Sequence, residues 1–280
     1  MKKSSNDNVA TLVVTPTVTH APLHAHYGNI GGVTQVFGNK AADYALARPG
    51  YAPALFAQLM STVNPVESPA VADIGAGTGL LTRGLLACSY VVEAVEPNDA
   101  MRAVADAALG ADQFYRSVNG TAEATGLNAH SKNLICAAQA FHWFDIPKAR
   151  AEFIRVLKPY GYVALIWNDR LVGDTLNTAL NGLFSDFGSV RRREMVNQDD
   201  RAGVPDFFGQ KVPEQRFAHT HYLSAEALRA LVFSRSYMPA PESAEGIAAI
   251  AAIDAVFNQH AVDNRVAMRY ETVLCLARFS

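Results

Sequence analysis

Two hydrophobic patterns alternate along the middle of this chain. Between about residues 70 and 170, short apolar runs typical of buried strands are separated by stretches with helical spacing of their apolar positions. This alternation predicts a parallel sheet with right-handed crossovers and a helix between successive strands. The strands are predicted at 70–74, 90–95, 113–118, 132–138 and 161–167.

Further elements are predicted on both sides of this core. Helices are expected at 38–47 and 52–63, where Pro53 suits a first helical turn. A helix at 174–188 and a polar loop containing Gly203, Pro205 and Gly209 follow the core. Two long strands are predicted at 212–222 and 265–279, and the helices predicted between them, at 224–235 and 244–260, are expected to form a cap.

The segment from Asp73 to Leu80 carries the most specific chemical signal. An apolar strand ends in Asp73, then Gly75, Gly77 and Gly79 alternate with other residues before a helix begins. Glycines let the backbone approach a ligand closely, and the carboxyl ends of parallel strands are where such sheets bind nucleosides. The spacing differs from the G-x-G-x-x-G of dinucleotide sites, which disfavours a nicotinamide-dependent dehydrogenase.

The next strand ends in Glu96, followed by Pro97. A carboxylate there offers two acceptor oxygens to the two hydroxyls of a ribose. Together with the glycine segment, Glu96 predicts an adenosine-containing ligand.

At this point the chain resembles the class I S-adenosylmethionine-dependent methyltransferases, in the methyltransferase type 11 and trans-aconitate methyltransferase-like branch. The resemblance continues through most of the chain from residue 37. Its further motifs are Phe37-Gly38, Tyr44, Arg48-Pro49, Tyr51, Gly120 to Glu123, Ala138 to Asp145, Arg155 to Pro159, Ala164 to Asn168, Ser234 to Pro239 and Tyr270 to Thr272.

The resemblance implies an α/β fold with a Rossmann-like seven-stranded sheet, mostly parallel with an antiparallel last strand. Helices would cover both faces and form a cap. It also implies three parts: an N-terminal arm or lid (1–36), a cofactor-binding core (37–170), and the cap helices with the last two strands (171–280). Tyr160 stands where the family has a glycine, so the turn geometry there is expected to differ.

The resemblance assigns cofactor contacts residue by residue. Glu96 would hold the ribose. Asp73 would orient the glycine segment or meet the methionine ammonium, and a purely capping role suits the same position. The other expected contacts are Tyr44, Arg48, Gly75, Gly77, Gly79, Pro97, Met101, Ala122, Glu123, Gln139, Phe141 and Trp143.

Several of these residues have a second interpretation. Met101 would pack on the adenine or only in a helix core, and Glu123 would meet the adenine edge or begin a helix as an exposed acid. Tyr44 and Arg48, at i and i+4 of a predicted helix, would close over the methionine carboxylate, although Arg48 could lie on the surface.

Aromatic residues surround His142 just after the fourth strand. Phe141, Trp143 and Phe144 would attract a sulfonium by cation–π interaction, or only pack a short helix. His142 is the candidate general base because imidazole titrates near neutral pH, although many such transfers need no base. The acceptor is expected to contact Tyr27, Trp167, Arg235 and Tyr237, and a buried Arg235 would suit a carboxylate.

Composition narrows the partners. The formal net charge of −2 provides no basic face for nucleic acid, and Arg191 to Arg193 are interpreted as a solvated or intersubunit stretch. No stretch has the length of a membrane span. Three separate cysteines fit no metal spacing, and His20, His24 and His26 are assigned to the arm, so no metal is predicted. We expect a cytoplasmic monomer or homodimer.

The predicted reaction is methyl transfer to a small-molecule acceptor, such as a carboxylate or a secondary metabolite. The absence of an Asn/Asp-Pro-Pro-Tyr motif after the fourth strand disfavours nucleobase N-methylation. Two alternatives remain open. One is attack on the γ-carbon of the cofactor with release of methylthioadenosine, and the other is a non-catalytic module that binds the cofactor.

Overall fold

A seven-stranded sheet forms the centre of the computed structural model, which describes residues 48–63, 68–188, 199–235 and 237–280. The spatial order is β3-β2-β1-β4-β5-β7-β6. The strands are β1 (Ala70–Ile74), β2 (Val91–Val95), β3 (Tyr115–Val118), β4 (Lys132–Ala138), β5 (Leu157–Arg170), β6 (Glu214–Leu223) and β7 (Val266–Ala277).

Strand directions confirm the predicted α/β class. Strands β1 to β5 pair in parallel, whereas β7 pairs antiparallel with both β5 and β6. In the β5–β7 register, Asn168 lies opposite Thr272. The carboxyl ends of β1, β2, β4 and β5 therefore share one edge of the sheet, at which the amino-terminal half of β7 also lies.

Helices cover both faces of the sheet. The helices are α1 (Pro53–Val63), α2 (Leu80–Ala87), α3 (Asp99–Leu109), α4 (Ile146–Val156), α5 (Thr175–Phe187), α6 (Val204–Phe208), α7 (Ala225–Phe233) and α8 (Ala244–His260), with a 3₁₀ turn at Phe141–Trp143. Alternate residues of β1 serve opposite faces, because Val71 packs with α1 and α2 while Ala72 packs with α4.

A separate apolar cluster joins α5, α7 and α8 to one end of β6 and β7. It includes Phe184 of α5, Leu231 of α7, Ile253 of α8 and Tyr270 of β7, each at most 5% exposed. These helices form the predicted cap. The division of the chain at residues 36 and 170 stays a prediction, because residues 1–47 lie outside the described part.

Two secondary-structure predictions were wrong. The loop predicted around Pro205 contains helix α6, whose Phe207 and Phe208 are fully buried, so packing outweighs the Gly and Pro signals. The expected helix between β3 and β4 does not form in residues 119–131, all of which are described. There Gly126 has a φ of 72°, and Thr125 bonds to Glu152 of α4 instead. The helix predicted at 38–47 lies outside the described residues.

Tyr160 adopts the backbone geometry that a glycine would adopt. Its φ is 66° and its side chain is largely exposed. The guanidinium of Arg278 lies 5.6 Å from the centre of its ring. This position near the start of β5 therefore keeps a left-handed backbone conformation despite the side chain, at a cost of about 1–2 kcal/mol.

Candidate functional site

The turn after β1 is held by the end of β2. The N–H groups of Gly75 and Ala76 donate to the Val95 carbonyl at 2.8 and 3.1 Å. A Cβ added to Gly75 would lie 2.7 Å from the Cβ of Ala140, whereas one added to Gly77 would meet nothing within 4 Å. Gly77 therefore faces open space while Gly75 is packed tightly.

Glu96 joins the end of β2 to the glycine turn. Its Oε2 accepts from the Gly77 N–H and its Oε1 from the Asn98 N–H, both at 2.9 Å. Burial raises the pKa of this carboxyl, although both hydrogen bonds oppose the rise. Pro97, the next residue, is exposed. The structure thus places Glu96 beside Gly77, and its contact with a ribose stays a prediction.

Asp73 faces helix α2 and is almost fully buried. Its Oδ2 accepts a hydrogen bond from the Thr82 hydroxyl at 2.6 Å, and among the described residues Oδ1 has no partner. Burial raises its pKa to about 7, despite the Thr82 bond. The Thr82 contact joins the end of β1 to α2, and the roles predicted for Asp73 toward the glycine segment and the cofactor stay predictions.

The residues predicted around the adenine occupy two settings. Met101 and Ala122 are buried, and the Met101 N–H donates to the Asn98 side chain. The Glu123 carboxylate accepts from the Asp145 N–H at 2.9 Å, at the start of α4, and is not itself in a helix. Their contacts with adenine stay predictions.

The aromatic residues after β4 separate into core and boundary positions. Phe141 is buried and makes edge contacts with Phe144, Trp167 and Phe207. His142 and Trp143 are half-buried, with ring centres 5.0 Å apart. The structure therefore gives Phe141 a packing role and leaves His142 and Trp143 at the boundary.

A cavity of about 840 Å³ lies beside the glycine turn, between the carboxyl edge of the sheet and the cap. We call it the arginine cavity. Leu80 and Gln139 line the part next to the β1 and β4 ends. The described residues that line the rest include Arg48, Pro49, Tyr51, Asn168, Asp169, Arg170, Asn177, Arg216, Arg235, Tyr270 and Glu271.

Three of these arginines are close enough to influence one another. Burial, together with the charges of Arg48 and Arg170, lowers the pKa of Arg235 to about 10. The guanidinium carbons of Arg170 and Arg235 lie 5.1 and 4.4 Å from the centre of the Phe184 ring. Arg170 was not predicted as a site residue, although its position at the end of β5 was a signal that could have found it.

The carboxylates of the arginine cavity are paired. Asp169 accepts from Arg201 at 2.6 Å, and Glu271 accepts from Arg216 at 3.1 Å. Arg201 also lies 4.9 Å from the centre of the Trp167 ring. The acidic wall of the cavity is therefore largely neutralised by arginines of its own.

Comparisons with known proteins agree with this geometry. Residues 72–165 match the family model described as a methyltransferase domain. An uncharacterized methyltransferase of Mycobacterium tuberculosis is 33% identical over 240 residues, covering 85% of this chain and 93% of that protein. The chain belongs to the class I S-adenosylmethionine-dependent methyltransferases.

Solved structures agree with the assignment. A proposed type II methyltransferase from Anaeromyxobacter dehalogenans is 25% identical with a TM-score of 0.60, covering 82% of this chain and 96% of that one. A methyltransferase proposed for an antibiotic biosynthesis pathway of Anabaena variabilis, 19% identical, has a TM-score of 0.53 and covers 81% and 98%, and it shows the fold alone. The narrower trans-aconitate-like branch stays a prediction.

Membership of the family confirms the predicted cofactor, S-adenosylmethionine. Residues at the ends of β1 and β2 of this methyltransferase fit that cofactor. Gly77 borders space that a Cβ would enter, and Glu96 presents a half-buried carboxylate next to that space. The residues that would hold the nucleoside therefore lie at the ends of two neighbouring strands, β1 and β2.

His142 has an environment that weakens it as a base. Burial lowers the pKa of its imidazole to about 4, so the ring is neutral at physiological pH. Among the described residues its Nδ1 has no hydrogen-bond partner. A neutral ring can accept a proton, but a base with this pKa holds it weakly.

The predicted acceptor residues of the methyltransferase do not all reach the cavity. Arg235 lines it, whereas Trp167 is 1% exposed and packed in the core. Tyr237 makes an edge contact with Phe184, with ring centres 6.0 Å apart. Tyr27 and Tyr44 lie outside the described residues, as do the histidines of the predicted arm and Arg191 to Arg193.

Two features are absent from the described part of the chain, a cluster of metal ligands and a membrane-spanning helix. It contains no group of three or more His, Cys, Asp or Glu side chains placed to hold a metal ion. No helix in it is long and apolar enough to cross a membrane.

Proposed function

We propose that this methyltransferase acts on a small molecule that carries a carboxylate or another anionic group and binds in the arginine cavity. The observation that carries this proposal is the convergence of Arg48, Arg170 and Arg235 on one cavity. Guanidinium groups are the side chains best suited to bind carboxylates in two-point geometry. The cavity borders the glycine turn through Leu80, so a bound acceptor would lie close to the cofactor.

The cofactor contacts in this proposal follow the sequence predictions. Glu96 accepts from the ribose hydroxyls, Met101 and Ala122 border the adenine, and Arg48 pairs with the methionine carboxylate. Bound S-adenosylmethionine supplies an electrophilic methyl group on a sulfonium. Arg170 and Arg235 are assigned to the acceptor, and their shared position against Phe184 supports this assignment.

The protein's contribution to the reaction is alignment and exclusion of water. Holding two reactants in the correct geometry can supply about 7–11 kcal/mol of the barrier. Trp143, half-buried after β4, would border the reacting groups, and the cap would close the cavity from above. In this proposal His142 shapes the site as a neutral ring, and the acceptor brings a nucleophile that needs little help from a base.

A paired acceptor screen tests the proposal. Carboxylates and their matching amides are incubated with enzyme and S-adenosylmethionine, and S-adenosylhomocysteine is measured by mass spectrometry. We expect carboxylate members of the pairs to support turnover and the amides to fail. Turnover of neutral acceptors alone would overturn the anionic class, and methylthioadenosine from cofactor alone would indicate attack on the γ-carbon instead.

The arginines are tested once an acceptor is found. Replacing Arg235 by Gln should raise the acceptor KM roughly tenfold or more, because a hydrogen bond to a charged group is lost. Arg229→Gln is the matched control, since Arg229 pairs with Asp254 on the exposed side of the cap. An equal effect of both variants would assign Arg235 to general stability.

A further inference from the structure

A hydrogen-bond cluster around the buried Thr272 lies next to the arginine cavity, and no cofactor contact was predicted for its members. Thr272 of β7 is fully buried. Its hydroxyl accepts from the Ala52 N–H at 3.0 Å and donates to Asn168 Oδ1 at 2.7 Å. The amide nitrogen of Asn168 donates to the Gly50 carbonyl at 2.9 Å. We call Asn168, His219 and Thr272 the Thr272 cluster.

His219 of β6 completes the Thr272 cluster. Its Nδ1 lies 3.4 Å from the Thr272 hydroxyl oxygen, and its ring stacks on Tyr270 with centres 5.5 Å apart. Because the hydroxyl proton points to Asn168, the network assigns the imidazole proton to Nδ1. Burial lowers the pKa of His219, so the ring is neutral at pH 7, although the Gly50 carbonyl opposes the shift.

The cluster holds a segment that belongs to no helix or strand. Residues 48–52 precede α1, and Gly50 and Ala52 are attached to β5 and β7 through the side chains of Asn168 and Thr272. Arg48, Pro49 and Tyr51 of the same segment line the arginine cavity. Gly50, two residues from Arg48, is therefore bonded to a strand that is distant in sequence.

We propose that Thr272 and Asn168 are positioning residues for cofactor binding, which act by holding residues 50–52 so that Arg48 faces the cavity. This inference rests on the proposed pairing of Arg48 with the methionine carboxylate. It assigns a function to one buried and one partly exposed polar side chain that would otherwise only stabilise the sheet. Their effect on the cofactor passes through Arg48 and disappears when Arg48 is absent.

Thr272→Val tests the proposal in the full chain, because valine keeps the shape and removes the hydrogen bonds of the hydroxyl to Ala52, Asn168 and His219. We expect the affinity for S-adenosylmethionine, measured by calorimetry, to fall about fivefold. Thr272→Ser should restore it. The control is Val273→Ala, since Val273 is equally buried on the same strand but packs on the opposite face of the sheet.

A double-mutant cycle separates positioning from general destabilisation. In an Arg48→Gln background, Thr272→Val should cause no further loss of cofactor affinity. Hydrogen exchange supplies a readout independent of binding: exchange at the Ala52 amide should accelerate in Thr272→Val and stay slow in Val273→Ala.

The possible failures are distinguishable. Wild-type affinity in a folded Thr272→Val variant, or equal losses in Thr272→Val and Val273→Ala, overturns the positioning role. An unchanged affinity in Arg48→Gln overturns the proposed contact of Arg48. Additive losses in the double mutant overturn the claim that the cluster acts through Arg48.

Discussion

The glycine turn and the arginine cavity of this methyltransferase are assembled in different ways. Gly75, Gly77 and Glu96 lie within about twenty residues of one another: the Gly75 N–H donates to the Val95 carbonyl, and the Gly77 N–H donates to the Glu96 carboxylate. The arginine cavity collects side chains from Arg48 to Glu271, on strands and helices far apart in sequence. The first region keeps its geometry through local chain conformation, whereas the second depends on the packing of the sheet and the cap.

Two glycine variants are expected to give the largest effects, and together they test this difference between the two regions. Gly75→Ala should lower the free energy of unfolding by about 2–4 kcal/mol, because its Cβ meets Ala140 and its φ is left-handed. Gly77→Ala should cost only about 1–2 kcal/mol, yet lose more than tenfold in cofactor affinity, because its Cβ fills the space beside Glu96. Urea unfolding and calorimetry measure the two effects. Equal unfolding losses in the two variants would contradict the difference in packing.

Glu96 gives the next largest effect. Glu96→Ala should weaken S-adenosylmethionine binding by about 1–3 kcal/mol, since ribose hydroxyls would lose their acceptor. Because Glu96 also accepts from Gly77 N–H, part of this loss would come from the glycine turn. Glu96→Gln keeps one acceptor oxygen and should lose less. Unchanged affinity in a folded Glu96→Ala variant would remove the ribose role.

Asp73 gives an effect of a different kind, a change of the unfolding free energy with pH. Its pKa is raised from 3.8 to about 7, so the folded protein keeps a proton that the unfolded chain has lost. The contribution of Asp73 to the unfolding free energy should therefore fall as the pH rises from about 4 to 7, by about 1.4 kcal/mol for each pKa unit.

Asp73→Asn isolates this contribution. The variant should become more stable relative to wild type between pH 5 and pH 7.5, as measured by urea unfolding at each pH. Parallel pH profiles for the two proteins would show that Asp73 is ionised in the folded state throughout that range.

The sequence predicted features that depend on local chain conformation, and it did not predict features that depend on long-range packing. The glycine turn, Glu96 and helix α8, found at the predicted Ala244–His260, depend on local patterns and were predicted. The hydrogen bond between Asn168 and Thr272 joins residues 104 positions apart, and no local pattern announces it. Helix α6 was missed for the same reason, since its two buried phenylalanines form a helix only against the core.

The position of β7 also determines the order in which parts of the site can form during protein synthesis. β7 follows the other described strands in the chain but lies between β5 and β6 in the sheet. While the ribosome is still translating residues 171–265, β5 lacks its neighbour β7, and Asn168 lacks its hydrogen bond to Thr272. The residues of the glycine turn are thus synthesised early. If the Thr272 cluster positions Arg48 as proposed, Arg48 is held in place only after β7 has emerged.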